Sequence, residues 1–194
     1  MPSPVGHALA GVATVWTLTP RAPRRLLVVA AALAVLPDAD LVHPRWHRVF
    51  THSIGAAIVV TIITAAVTGW VNRRRGFAAR SPTRLTSPVG VALICGAAYA
   101  SHLLLDWLAA DYFAPYGIRA LWPFNDGWYI SGFDIFQQTA RLHLFTWPVI
   151  LQNVRAIVRE IVILGPILYL LWLVRVKPTT RLASELTGAH HPAE

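Results

Sequence analysis

Residues 54 to 71 run for 18 positions without a charged side chain, from Ile54 through Val71. A run of that length and apolarity matches the roughly 20 residues that a helix needs to cross a bilayer. A second run, from about Pro88 to Ala110, is as long but carries His102 and Asp106 near its end. A third, from about Ile157 to Val176, opens on Arg159 and Glu160 and then stays apolar. Two shorter stretches precede them, about Val5 to Leu18 and about Leu26 to Leu36, short enough to form a tilted hairpin or to stop at the interface. Only 13% of the 194 residues are charged, against about 25% in an ordinary soluble domain. The expected fold is therefore all-α: a polytopic membrane bundle of about five helices, the first two short. It forms one domain over residues 1–176, followed by a polar tail, 177–194, that the sequence marks as disordered. Phe133 to Asn153 mixes aromatic, apolar and charged residues and reads as an interfacial helix broken near Pro148. With no basic segment ahead of the first apolar stretch, no cleaved leader is expected.

The net charge of +8 does not point to nucleic acid, because the basic residues fall in short clusters between apolar runs. They fit topology signals and contact with anionic lipid instead. Arg21, Arg24 and Arg25 lie between the first two stretches; Arg73, Arg74, Arg75, Arg80 and Arg84 lie between the third and fourth; Arg175, Lys177 and Arg181 follow the fifth. If the stretches alternate in direction, these eleven of seventeen basic residues share one side, the cytoplasmic side by the positive-inside rule.

That assignment carries a consequence for a different set of residues. His7 opens the first stretch, Asp38 and Asp40 close the second, His47 and His52 lead into the third, and His102 and Asp106 close the fourth. All seven then meet at the opposite, extracytoplasmic face. His102 and Asp106, four apart, lie on one helix face, and an ionisable pair near the end of a membrane helix is costly enough to suggest function. Asp38 and Asp40 repel each other when ionised, and a cation relieves that repulsion. Thr51 is placed to cap the third helix, leaving His52 in its first turn. Arg48 is suited to a phosphate or carboxylate oxygen, or to a salt bridge with the acidic pair. The seven residues are candidate metal ligands, with Asp38, Asp40 and Arg48 as candidate catalytic groups. His43 is a possible outer residue, and His143, His190 and His191 read as incidental. Imidazole and carboxylate donors suit zinc or manganese. With the lone Cys95 inside an apolar run, thiolates play no part. Seven ligands exceed what one ion needs, so the expectation is one to three divalent ions. The aromatic cluster from Trp107 to Tyr129 fits an interfacial belt.

Gly6-His7, Leu36-Pro37-Asp38-Ala39-Asp40, His47-Arg48 with Thr51-His52-Ser53, Ser101-His102 through Asp106, and Leu121-Trp122-Pro123 occur in the order of a known family. In these pieces, over roughly residues 5 to 124, the chain resembles the YdjM-type inner-membrane metal-dependent hydrolases. The resemblance implies a multi-pass membrane protein with a metal site built from these histidines and aspartates. The short stretch between Asp40 and His47 departs from that pattern. A more distant similarity to zinc-dependent phospholipase C rests on the His-x-x-x-Asp spacing and implies phosphoester hydrolysis. The leading expectation is hydrolysis of a lipid or lipid-linked phosphoester, with membrane lipid as the partner. A metal transporter or sensor, and a helix bundle stapled by a structural metal or by hydrogen bonds, are the alternatives.

Overall fold

The computed structural model describes residues 1–42, 47–74 and 87–178. His43, the basic residues Arg45, Arg75, Arg80, Arg84 and Arg181, and nearly all of the tail lie outside the described residues. Among the described residues the chain is all-helical: α1 (Pro4–Leu18), α2 (Arg24–Val35), a 3-10 segment (Leu36–Val42), α3 (Ile54–Arg74), α4 (Pro88–Trp107) and α5 (Trp147–Leu171), which runs on into a π-helical turn (Trp172–Val176). Three of these helices, α3, α4 and α5 with its extension, are long and apolar enough to cross a membrane.

Two helices start on the same tetrapeptide, Ser-Pro-Val-Gly. Ser3 and Ser87 are the N-caps of α1 and α4, each accepting a hydrogen bond from the backbone N–H of the glycine three residues on, at 3.3 Å and 3.0 Å. Pro4 and Pro88 occupy the first turn, where a missing N–H costs nothing. The repeat is too short to betray a duplicated domain, yet it fixes where both helices begin.

α4 is the centre of the bundle. It packs on α1, α2 and α3, while α5 packs chiefly on α1. Within the apolar 18-residue stretch of each span, 61% of α4 is buried against 6% of α3 and 11% of α5 with its extension. A helix apolar all round and enclosed by neighbours can carry polar side chains on its inner face, which is where His102 and Asp106 lie. α3 and α5 instead present isoleucine, valine and leucine outward, as a lipid-facing surface requires. The approach of α3 to α4 depends on Gly96: a Cβ there would stand 1.9 Å from Thr61 Oγ1 and 3.2 Å from Thr61 Cβ. Small residues let membrane helices approach this closely. Gly96→Leu should therefore cost about 1–3 kcal/mol through overpacking, read as an earlier unfolding midpoint in a detergent titration.

The segment between α4 and α5 differs from the sequence expectation. Residues 133 to 146 form no interfacial helix. Gly132, Asp134 and His143 hold positive φ values of 73°, 50° and 54°, which break any helical run. Pro148 does not interrupt a helix either; it sits in the first turn of α5, following the N-cap residue Thr146. The connection from residue 108 to 146 instead folds over one end of the bundle. Its Ala120 and Trp122 carbonyls accept from the Ile54 and Gly55 N–H groups at 2.8 Å and 3.0 Å. Those bonds satisfy donors that the start of α3 would otherwise leave open.

Candidate metal centre

The predicted ligands converge at the end of the bundle covered by this connection. His7 comes from the first turn of α1, Asp38 and Asp40 from the 3-10 segment, His52 from just before α3, and His102 and Asp106 from the last turns of α4. His7, His52 and His102 are fully buried, and Asp106 is 3% exposed. The His7 and His102 rings stack with centroids 3.7 Å apart, and His52 stands edge-on to His102 at 4.8 Å.

Asp106 is the hub. Its carboxylate oxygens lie 3.1 Å from His102 Nε2, 3.4 Å from His52 Nε2 and 3.5 Å from His7 Nε2. Asp38 faces the same space, 3.8 Å from His52 Nε2 and 4.0 Å from His7 Nε2. Among the described residues, none of the three Nε2 atoms, and neither oxygen of Asp106, has a hydrogen-bond partner. Buried polar atoms are nearly always paired, and leaving several unpaired at one point is expensive. One or two cations held here would satisfy them. His7, His102 and Asp106 form one group with metal-holding geometry, and Asp38, His52 and His102 form another.

The surrounding contacts fix which imidazole nitrogen faces inward. His102 Nδ1 lies 2.7 Å from the Ala34 carbonyl oxygen, an acceptor, so Nδ1 carries the proton and Nε2 presents its lone pair. His52 Nδ1 lies 3.3 Å from Asp40 Oδ2, which orients its Nε2 in the same way. With Nδ1 committed to Ala34, His102 offers one nitrogen and serves one ion.

Asp40 and His47 form an outer layer. Asp40 accepts from Thr51 Oγ1 at 2.5 Å and from the Arg48 N–H at 3.1 Å, and its Oδ1 lies 2.6 Å from His47 Nδ1. Burial opposes the charge of Asp40, but hydrogen bonds from His47, His52 and Thr51 hold its carboxyl well below the usual range. Both nitrogens of His47 are engaged, Nδ1 by Asp40 and Nε2 by Arg141 Nη1 at 2.5 Å. Asp40, His47 and His52 also have metal-holding geometry. Binding an ion there would displace these hydrogen bonds, which makes it the less prepared of the three groups.

Two expectations about this segment are corrected. Thr51 does not cap α3: its hydroxyl serves Asp40, and Ser53 Oγ accepts from the Ala56 N–H at 3.1 Å in its place. His52 consequently precedes the helix. Arg48 meets a carboxylate, as expected, but not that of Asp38 or Asp40 through its side chain; its guanidinium donates to Asp111 at 2.5 Å, tying this segment to the α4–α5 connection. The cation beside the acidic pair is Arg141, whose Nη2 lies 3.4 Å from Asp38 Oδ1. Arg141 gave no sequence signal, since its position rests on a non-helical connection. Glu160, fully buried in α5, was equally silent; it accepts from the Ser3 N–H at 2.6 Å and from the Ser3 hydroxyl.

His52 gives a pH prediction. Burial alone would lower its pKa, but the carboxylates of Asp38 and Asp40 outweigh burial and raise it to about 9. A pKa raised above the ordinary value of about 6.5 contributes stability to the metal-free fold below that value, lost as pH rises through about 9. Metal binding has the opposite sign, because a ligand must give up its proton. Apparent metal affinity should rise about tenfold per pH unit from neutral pH to about 9, with proton release visible by calorimetry in buffers of different ionisation enthalpy.

The model of the YdjM inner membrane protein family matches residues 1–179. The chain belongs to that family. The match extends well past the motifs around the centre and takes in α5, so Arg141 and Glu160 fall within it. Neither the curated proteins nor the solved structures yield a match. YdjM membership and three membrane-length apolar helices make this a membrane protein.

Proposed function

We propose that the protein is a metal-dependent hydrolase acting on a lipid or lipid-linked phosphoester at the extracytoplasmic face of the inner membrane. The observation that carries this reading is the set of unpartnered donors, the Asp106 carboxylate and three imidazole Nε2 atoms within 3.5 Å of it, gathered in one buried cluster. Nitrogen and oxygen donors without thiolate suit zinc or manganese, and the shared His102 favours one or two ions over three. A bound divalent ion supplies an acidified water and charge stabilisation for the developing oxyanion.

The side chains then divide the remaining work. Asp40 orients His52, and the Ala34 carbonyl orients His102. Asp38 is the freer carboxylate: its shortest contact is 3.4 Å, whereas Asp40 is held at 2.5 Å and 2.6 Å. Asp38 is thus the better placed to take a proton from the attacking water, or to complete the ligand set. Arg141 donates toward Asp38 and is positioned to meet a phosphoryl oxygen. Arg48 supports the site through Asp111 rather than by touching substrate.

Most of the described basic residues support this orientation. Arg21, Arg24, Arg25, Arg73, Arg74, Arg175 and Lys177 sit at helix ends or turns remote from the centre, as the positive-inside rule asks of cytoplasmic residues. Confinement of the buried donors to one end of the helices favours hydrolysis over transport, which needs groups spread along a path. The test is release of phosphate or headgroup from phosphatidic acid and phospholipids in mixed micelles by metal-loaded protein. His102→Ala should abolish turnover with the helical signal unchanged; full turnover in that variant contradicts the reading.

A further inference from the structure

An apolar groove of about 690 Å³ runs along the outer face of α1 and α2 and reaches Asp38. Its walls are Pro4 and Ala8 of α1, and Ala31, Ala32 and Val35 of α2, continuing along the 3-10 segment. Pro4 and Ala8 are one helical turn apart, as are Ala31 and Val35, so each helix presents one face to the groove. The alanines keep it open where leucines would fill it. Leu36 and Leu41, both exposed, line the end nearest Asp38. A rim of that kind faces hydrocarbon more readily than water.

The two ends of this feature differ in chemistry. One is apolar along its length; the other is lined by Asp38, whose carboxylate belongs to the candidate metal centre and lies 3.4 Å from the Arg141 guanidinium. We propose that this groove is the lateral entry and acyl-chain site for the substrate, which is a phospholipid or lipid phosphate with its headgroup at Asp38 and Arg141 and one chain between α1 and α2. This rests on the hydrolase reading for the identity of the molecule as substrate, but the groove's occupancy is measurable without turnover. The chain stays in lipid-like surroundings while only the phosphoester enters the polar end, so the molecule need not leave the bilayer.

The experiment uses full-length, metal-loaded protein in phosphatidylcholine vesicles containing phosphatidic acid with a diazirine midway along one chain. Irradiation should label the α1 and α2 segments around Ala8 and Ala31–Val35, and excess unlabelled phosphatidic acid should compete the label away. Ala32→Trp and Ala8→Leu, which fill the groove from its two walls, should each reduce the label. They should also cut the preference for long-chain over short-chain substrate about tenfold, the equivalent of about two methylenes left unburied. Thermal unfolding identifies a variant that fails to fold, and the other wall then decides. Label lodged instead in the separate groove between α2 and α3, lined by Val29, Ile63 and Val67, overturns the proposal. So does an unchanged chain-length preference in both folded variants. Specific labelling of the α1–α2 groove without any hydrolysis supports the groove and overturns the hydrolase reading.

Discussion

Asp106→Asn should lower metal affinity about 100-fold or more, beyond the 10- to 100-fold typical of residues one layer further out, and should abolish the proposed turnover. The metal-free protein should change much less. The two Asp106 carboxylate oxygens are buried and face three histidines, and His52, protonated below about 9, offsets the Asp106 charge, so the neutral amide loses an ion pair along with a buried charge. Thermal unfolding should thus show a small shift for the metal-free variant and a large downward shift for the metal-loaded one. A shift of the same size with and without metal would mean that Asp106 is a structural hydrogen-bonding group.

The second large effect lies outside the centre. Glu160→Ala should destabilise the fold by about 2–4 kcal/mol, since it removes two bonds to a charged acceptor and strands the buried Ser3 N–H. Glu160 joins α5 to the start of α1, one turn from His7, so metal affinity should fall with it. Gly6 explains how the carboxylate reaches that point: a Cβ at Gly6 would stand 2.7 Å from Glu160 Oε2. Gly6→Ala should therefore be costly in the wild-type background and much milder beside Glu160→Ala. Additive effects in that double-mutant cycle, measured by denaturant unfolding, would show that the two do not interact.

Most of the architecture was legible because bilayer length and helical spacing are both local signals. α1 was expected from about Val5 and begins at Pro4; α3 and α4 begin at Ile54 and Pro88, the positions read from the apolar runs. The one-face placement of His102 and Asp106 follows from their spacing, and the meeting of His7, Asp38, His52 and His102 follows once the helices alternate. What stayed hidden depends on backbone that no periodicity describes. The later part of the α4–α5 connection, from Phe133, was read as a helix because it mixes aromatic, apolar and charged residues, yet positive φ at Gly132, Asp134 and His143 turns it over the site. Arg141, Asp111 and the true partner of Arg48 all depend on that connection. The exchange of capping duty between Thr51 and Ser53 reflects competition for Thr51 by Asp40, a residue eleven positions away.

The central claim is that the buried histidines and aspartates form a metal centre, and elemental analysis of protein purified in mild detergent tests it most directly. Wild type should carry about one or two equivalents of a divalent ion, with zinc or manganese foremost, and a His102→Ala/Asp106→Ala double variant should carry almost none while keeping its helical signal. X-ray absorption should then find imidazole and carboxylate donors and no sulfur. A well-folded wild type that stays metal-free after incubation with zinc and manganese at pH 8 would contradict the account and leave a hydrogen-bonded cluster that staples the helix ends.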